Sequence, residues 1–385
     1  MRTTCAAILF LVLAACGADR PSATSSSIPT ADQSRRLLFA VLEAHGTANA
    51  STYNTVAIAG LDGVARAKTT FTPMPVPALG CMGAILPPSA QVAAGKVFFV
   101  DAKGVVRSLS IDGSVATATT FPMTSAQQML SFAVSPDGTK LLGTIYTVPT
   151  NAVTCDGSSS GVFGFDTYSA TNGGAAQLVR HQAWSKPQTV LALTGWDSVG
   201  PIGTYPTVWA SQGGGPGATL GVAVRVDAAT IQPQAPFADP SRCQVWNSIS
   251  SGAFVCTGSA VMTGGGTADQ KVNQQVSVRS ADGTELWQFA AIGQNAPFGP
   301  FLAPDGQHVM ICCNDLKLAD SHELVVGRDG TQVSLAKGFG ASGWLNSTTM
   351  IGSVSSGTMA YIAANAPGTA TSMGFSGLFV GTVRL

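Results

Sequence analysis

The stretch "HVMICCNDLKLADSH", His308 to His322, gathers two histidines and two cysteines, the ligand types of a zinc site. Its spacing argues against metal. On a strand, His308 and Cys312 share a face while Cys313 points to the other. Adjacent cysteines ligate one zinc poorly, and the Cys-x-x-Cys of structural sites is missing. The stretch reads as a disulfide or packed thiols, and no metal or other cofactor is expected. "GSSSG", Gly157 to Gly161, has the G-x-S-x-G spacing of a nucleophile elbow. An elbow needs a sharp strand-to-helix turn, and here a Ser/Gly loop runs into the strand "VFGFDTY". "GGGPGATLG", Gly213 to Gly221, lacks the Gly-Lys-Ser/Thr ending and the helix of a phosphate loop. The remaining histidines, His45 and His181, fall near loops with no acid or nucleophile placed beside them by sequence. No catalytic residue is assigned from these motifs.

The elements that must position these residues are short strands and tight turns. "FAVSPDGTKLLGTI", Phe132 to Ile145, reads as strand, Pro-Asp-Gly turn, strand, and "FLAPDGQHVMIC", Phe301 to Cys312, repeats it. "GWDSVGPIG" from Gly195 and "GWLNSTTMIG" from Gly343 form a second matched pair. "VWNSISSGAFVCTG" (Val245 to Gly258) and "GAILPPSAQVAAGKVFFV" (Gly83 to Val100) are looser cases. Turn centres fall near residues 88, 137, 198, 250, 305 and 347, roughly every 40 to 60 residues. A second series turns on Asp-Gly: "AIAGLDGVARA", "RSLSIDGSVAT", "VRSADGTELWQF" and "VVGRDGTQVSL". "FDTYSATNGGAAQLV" and "VRVDAATIQPQ" fill the places between. Asp-Gly tolerates the positive φ that tight hairpins demand. Each period therefore holds two hairpins, or four antiparallel strands, which cannot bury their own faces and must stack around an axis.

This is the pattern of an all-β β-propeller with four-stranded blades. Counting the outer hairpins gives seven blades, with six or eight open to a miscount in one loop. The "SPDGTKL" and "APDGQHV" turns, with the Asp-Gly hairpins, resemble the WD-repeat-like blades of TolB-type propellers; the likeness covers nearly all of residues 37–385 as a pattern. Blade one starts at "RLLFAVLEAHG" without an innermost strand, and the final "GLFVGTVRL" is expected to close the ring by pairing into it. "ADGTELW", Ala281 to Trp287, resembles a shortened tryptophan-docking motif of quinoprotein dehydrogenases, also found in the lipoprotein propeller of the outer-membrane assembly machinery. It occurs once and lacks the Thr-Gly turn, so Trp287 is read as a packing residue. Trp184, Trp209 and Trp246 are candidates for a ligand groove. Trp196 and Trp344 occupy equivalent blade positions and are expected in the core.

The amino terminus supplies an address. Met1-Arg2 precedes an apolar run, Ala6 to Ala15, of secretory-signal length and far short of the ~20 residues of a spanning helix. Leu13-Ala14-Ala15-Cys16 resembles the lipobox of bacterial lipoproteins. The resemblance implies that residues 1–15 are a signal peptide and that Cys16 carries a diacylglycerol as the mature N-terminus. Residues 17–36, "GADRPSATSSSIPTADQSRR", have almost nothing apolar to bury and read as a flexible tether, so 16–36 links the lipid to a propeller at 37–385. Of the eight cysteines, Cys5 falls in the signal peptide and Cys16 bears the lipid. Cys81, Cys155, Cys243, Cys256, Cys312 and Cys313 remain. In an exported chain an even count favours disulfides, among fifteen possible pairings. Cys81 and Cys155 fall on the same propeller face, a sensible pair. Cys243 and Cys256 share a hairpin whose Ser-Ser-Gly turn does not set them directly opposite, and that pairing stays open.

Twenty basic and twenty acidic residues balance, and charged residues are only 10% of the chain. That excludes an electrostatic footprint for nucleic acid and a polybasic patch for anionic lipid. The reading is a monomeric, lipid-anchored, extracytoplasmic propeller of the bacterial envelope that binds a protein or peptide without catalysis. The rival readings are a propeller enzyme working at the central channel (quinoprotein-like dehydrogenase, or hydrolase or lyase on sugars or peptides) and a glycan or small-molecule receptor.

Overall fold

The computed structural model describes residues 37–46, 53–75, 89–149, 161–185, 190–204, 223–236, 243–250, 252–259, 261–263, 271–293, 298–312 and 323–384. They form seven four-stranded antiparallel blades arranged in a ring, with no helix among them. Apart from the inner turn of blade 2, both hairpin series occupy the expected places. The Pro-Asp-Gly turns join the two inner strands of blades 3 and 6, and the Asp-Gly turns join the two outer strands of blades 1, 2, 5 and 6. Gly63, Gly113, Gly283 and Gly330 in those outer turns all have φ between 74° and 90°, where a side chain would be strained.

Blade 1 is closed by the carboxyl-terminal strand. Leu378–Val383 pairs antiparallel with Leu38–Glu43, Leu38 lying opposite Val383, and so becomes the innermost strand. The inner turn of blade 2 differs from the expectation near residue 88. It is the two-residue turn Ala94-Gly95 between Ala90–Ala93 and Lys96–Val100, with φ of 48° and 70°. Alanine at positive φ is uncommon, so the residue types gave no turn signal there. In blade 5 the short strand Val261–Thr263 continues Ala253–Thr257 past an irregularity, and both pair with Lys271–Ser280.

Strand alternation sorts the connections onto two faces. Turns between the first and second strands, and between the third and fourth, lie on one face, here the tight-turn face. Connections between the second and third strands, and between blades, lie on the other, the loop face. Cys81, Cys155, Cys313, His322, Trp209, "GGGPGATLG" and residues 1–36 lie outside the described residues, as do all of "GSSSG" but Gly161 and the side chain of Trp246.

Seven apolar clusters fill the seven junctions between neighbouring blades. Phe98, Val100, Phe121, Leu130, Phe132 and Ile145, all but fully buried, close the junction of blades 2 and 3. Burying one such side chain is worth about 1.5–3 kcal/mol. Among the described residues the junction of blades 4 and 5 is the thinnest, with Ile202, Cys243, Val245, Phe254 and Cys256 as its buried members. A disulfide joins Cys243 to Cys256 there, Cα atoms 5.1 Å apart. In register it is Val245 that faces Cys256, so the bridge runs diagonally. Replacing both cysteines by alanine is expected to lower unfolding free energy by about 3 kcal/mol, the chain-entropy value for a loop of this size. An unchanged urea midpoint would show that the bridge adds nothing to this junction.

Candidate functional site

The axis is where a propeller most readily assembles a site from several blades, and its walls are the seven innermost strands. These are Leu378–Val383, Ala90–Ala93, Gln128–Val134, Ala192–Trp196, Gln244–Ser250, Phe298–Leu302 and Phe339–Asn346. Their sequences, LFVGTV, AQVA, QMLSFAV, ALTGW, QVWNSIS, FGPFL and FGASGWLN, contain no Asp, Glu, His, Lys, Arg, Cys or Tyr. Three of the polar side chains there, Gln91, Ser131 and Thr382, reach neighbouring blades, while Gln128, Thr194 and Asn346 bond within their own. The buried Gln91 amide spans two backbone groups of blade 3, donating to the Phe132 carbonyl and accepting from Val134 N–H. The Ser131 hydroxyl shares a hydrogen bond with Thr144 and accepts from Leu193 N–H of blade 4. Thr382 donates to the carbonyls of Trp344 and Leu345 in blade 7. A buried polar group left unpaired is costly, so these bonds specify blade order as well as adding strength.

The carboxylates are largely spent on turns. Asp137 accepts from the Ser135 hydroxyl and from the N–H and hydroxyl of Thr139, which hold its pKa down to about 2. For Asp197, burial pushes the pKa up, but the Arg225 guanidinium and the N–H groups of Val199 and Gly200 outweigh it and leave the group below its usual range. Asp62 is lowered by Arg66, and Asp112, Asp227, Asp282 and Asp329 by hydroxyl and N–H donors of their own turns. Such carboxylates stay charged and make poor proton donors near neutral pH.

Glu323 is the exception. It starts the third strand of blade 6 on the loop face, is 6% exposed, and accepts a 2.7 Å hydrogen bond from Ala341 N–H in the innermost strand of blade 7. Burial pushes its pKa up to about 7, only partly offset by that bond. Sequence reasoning passed it over, because nothing in "SHELVVG" signals burial.

Among the described residues, the structure does not bring His45, His181 and His308 into one site. His45 uses its backbone N–H and carbonyl to bracket the Asn54 amide. His181, 61% exposed, pairs through Nδ1 with Asp166 on the adjacent outer strand of blade 3. His308 Nδ1 lies 3.4 Å from Asp305 Oδ2. Cys312, on the same strand as His308, is in a disulfide whose partner lies outside the described residues. Among the described residues, no three metal-ligating side chains cluster. Four tryptophans among the described residues pack against blade surfaces, and Trp287 and Trp344 add a polar tie. Trp287 stacks on Phe289 and donates to the Gly306 carbonyl of blade 6. Trp344 is buried between blades 6 and 7 and donates to the Phe301 carbonyl. Trp196 packs half-buried at the equivalent place between blades 3 and 4, and Trp184 rests against Phe165. An open groove of about 390 Å³ between blades 2 and 3 is lined by Thr117 to Thr120, Pro122 and Gly173 to Ala176, with no ionisable group.

No protein-family model and no curated protein matches the chain. Solved structures that resemble it do so in fold alone. An oligogalacturonate lyase in complex with manganese has a TM-score of 0.49 at 9% identity, covering 87% of this chain and 90% of the other. The Dos1 propeller has a TM-score of 0.44 at 11% identity, covering 88% of each. A TolB-like protein from Agrobacterium tumefaciens has a TM-score of 0.33 at 14% identity, covering 64% of this chain and 79% of the other. The chain is a seven-bladed β-propeller.

Proposed function

We propose that the protein is an extracytoplasmic propeller, anchored by a lipid on Cys16, that binds a protein or peptide as a rigid, non-catalytic scaffold. The observation that carries this reading is the axial wall: seven strands with no acid, base or thiol, on which Gln91, Ser131 and Thr382 tie blade to blade. The turn carboxylates add to it, since each is consumed by its own hairpin. The address rests on the Leu-Ala-Ala-Cys sequence and the polar segment after it. Cys16→Ala is expected to move the protein from the membrane to the soluble fraction. A photoreactive residue at the exposed Val162, on the loop face, is expected to give one discrete protein adduct in intact cells. Membrane retention of the Cys16 variant would overturn the anchor. A lyase, hydrolase or dehydrogenase activity of the purified chain, lost on Ser131→Ala or Thr194→Ala, would overturn the scaffold.

A further inference from the structure

We infer that the tight-turn face of the propeller is turned toward the membrane and the loop face away from it, an orientation that rests on the lipid anchor proposed above. The carrying observation is where the chain enters the ring. Leu38 begins the second strand of blade 1 opposite Val383, at the tight-turn end. The exit of the last strand confirms the level: a Cβ added to Gly95, in the inner turn of blade 2, would lie 2.8 Å from the Arg384 carbonyl oxygen. Residues 17–36 therefore leave from this face, one strand out from the axis.

The length of that segment limits the alternative. Gly17 to Arg36 is twenty residues with Ile28 as the one large aliphatic side chain, and a flexible chain of that length spans about 25 Å root-mean-square. To present the loop face to lipid, the tether would have to cross two strand spacings to the rim, about 10 Å. It would then climb a strand of roughly six residues, about 20 Å, and still reach the bilayer. That path is longer than the relaxed span, though within the extended length of about 70 Å, so the tether would have to stay stretched, whereas the tight-turn face requires no detour. The chemistry of the near face is compatible with an interfacial position. Val64, Val115, Leu178, Val199, Leu286 and Val333 place one exposed aliphatic side chain beside a tight turn on each of blades 1 to 6. Isolated exposed aliphatics are common on soluble surfaces; among the described residues six of eight fringe the side from which the tether leaves, and Val162 and Val261 lie on the loop face.

The test uses the full-length chain purified from membranes and reconstituted into phosphatidylcholine vesicles that contain an acceptor-labelled lipid. A donor fluorophore is attached through a clickable amino acid at Ser114 or at Lys103. Both positions are exposed in blade 2, Ser114 in an outer tight turn and Lys103 in the loop-face turn one strand away. Transfer from the Ser114 donor is expected to be roughly twofold higher, the consequence of a step of about 20 Å along one strand. Equal transfer, or higher transfer from Lys103, with the protein floating with the vesicles, overturns the orientation and leaves the anchor intact. Failure of the unlabelled chain to float with vesicles overturns both.

Discussion

Glu323→Gln is expected to make the protein more stable at pH 8, by about 1–3 kcal/mol, and to flatten its stability between pH 5.5 and 8. In the folded chain the Glu323 carboxyl is buried, accepts one hydrogen bond from Ala341 N–H, and titrates near 7 instead of 4.5. The folded pKa is raised, so between these values the folded state holds a proton that the unfolded state has lost. Stability therefore falls as pH rises from about 4.5 to 7, and above 7 the full penalty of a buried carboxylate is present. The shift corresponds to about 3 kcal/mol, of which about 2 kcal/mol is expressed between pH 5.5 and 8. Glutamine keeps an oxygen for Ala341 N–H and removes the charge, while its added N–H groups need partners and reduce the gain. Urea titrations of both proteins at pH 5.5 and pH 8 decide the matter. A variant less stable than wild type at pH 8, with the same pH slope, would mean that Glu323 is not the buried acid the geometry describes.

The fold was legible in the sequence because hairpin chemistry is local. Asp-Gly and Pro-Asp-Gly permit few conformations, and a chain that repeats them between alternating apolar strands has few architectures open to it. Even the closure of blade 1 was readable, since "RLLFAVLEAHG" lacks a preceding partner and "GLFVGTVRL" lacks a following one. The inner turn of blade 2 was not, because Ala94 holds a positive φ through its place between two strands rather than through its residue type. The composition of the axial wall became visible only once the innermost strands were assigned. Glu323 and the inter-blade bonds of Gln91, Ser131 and Thr144 were invisible, since each depends on contact with the next blade. A glutamate or serine carries no local sign of burial.

Removing residues 377–385 is expected to abolish cooperative folding at physiological temperature, the largest effect foreseen for this chain. The deletion takes away the ladder on the inner side of Leu38–Glu43, leaving only its pairing with Thr55–Gly60, and puts the buried Phe39, Ala40 and Val41 on an open edge. Leu378, Val380 and Val383 leave the junction of blades 1 and 2, and Phe379 leaves the junction of blades 7 and 1, where its ring lies 6.5 Å from that of Phe39. Val383 is buried and the other three are half-buried, so together they amount to roughly 5 kcal/mol of burial, a large share of the 5–15 kcal/mol that keeps a typical domain folded. Because Leu38 and Val383 face each other at the tight-turn end, residues 377–383 placed directly before Leu38 through an Asn-Gly turn should rebuild the blade as an ordinary hairpin. That rearranged chain is expected to regain a cooperative melt, separating loss of the strand from loss of chain length. A truncated protein that melts within about 2 °C of the intact one would show that the ring does not depend on its carboxyl-terminal closure.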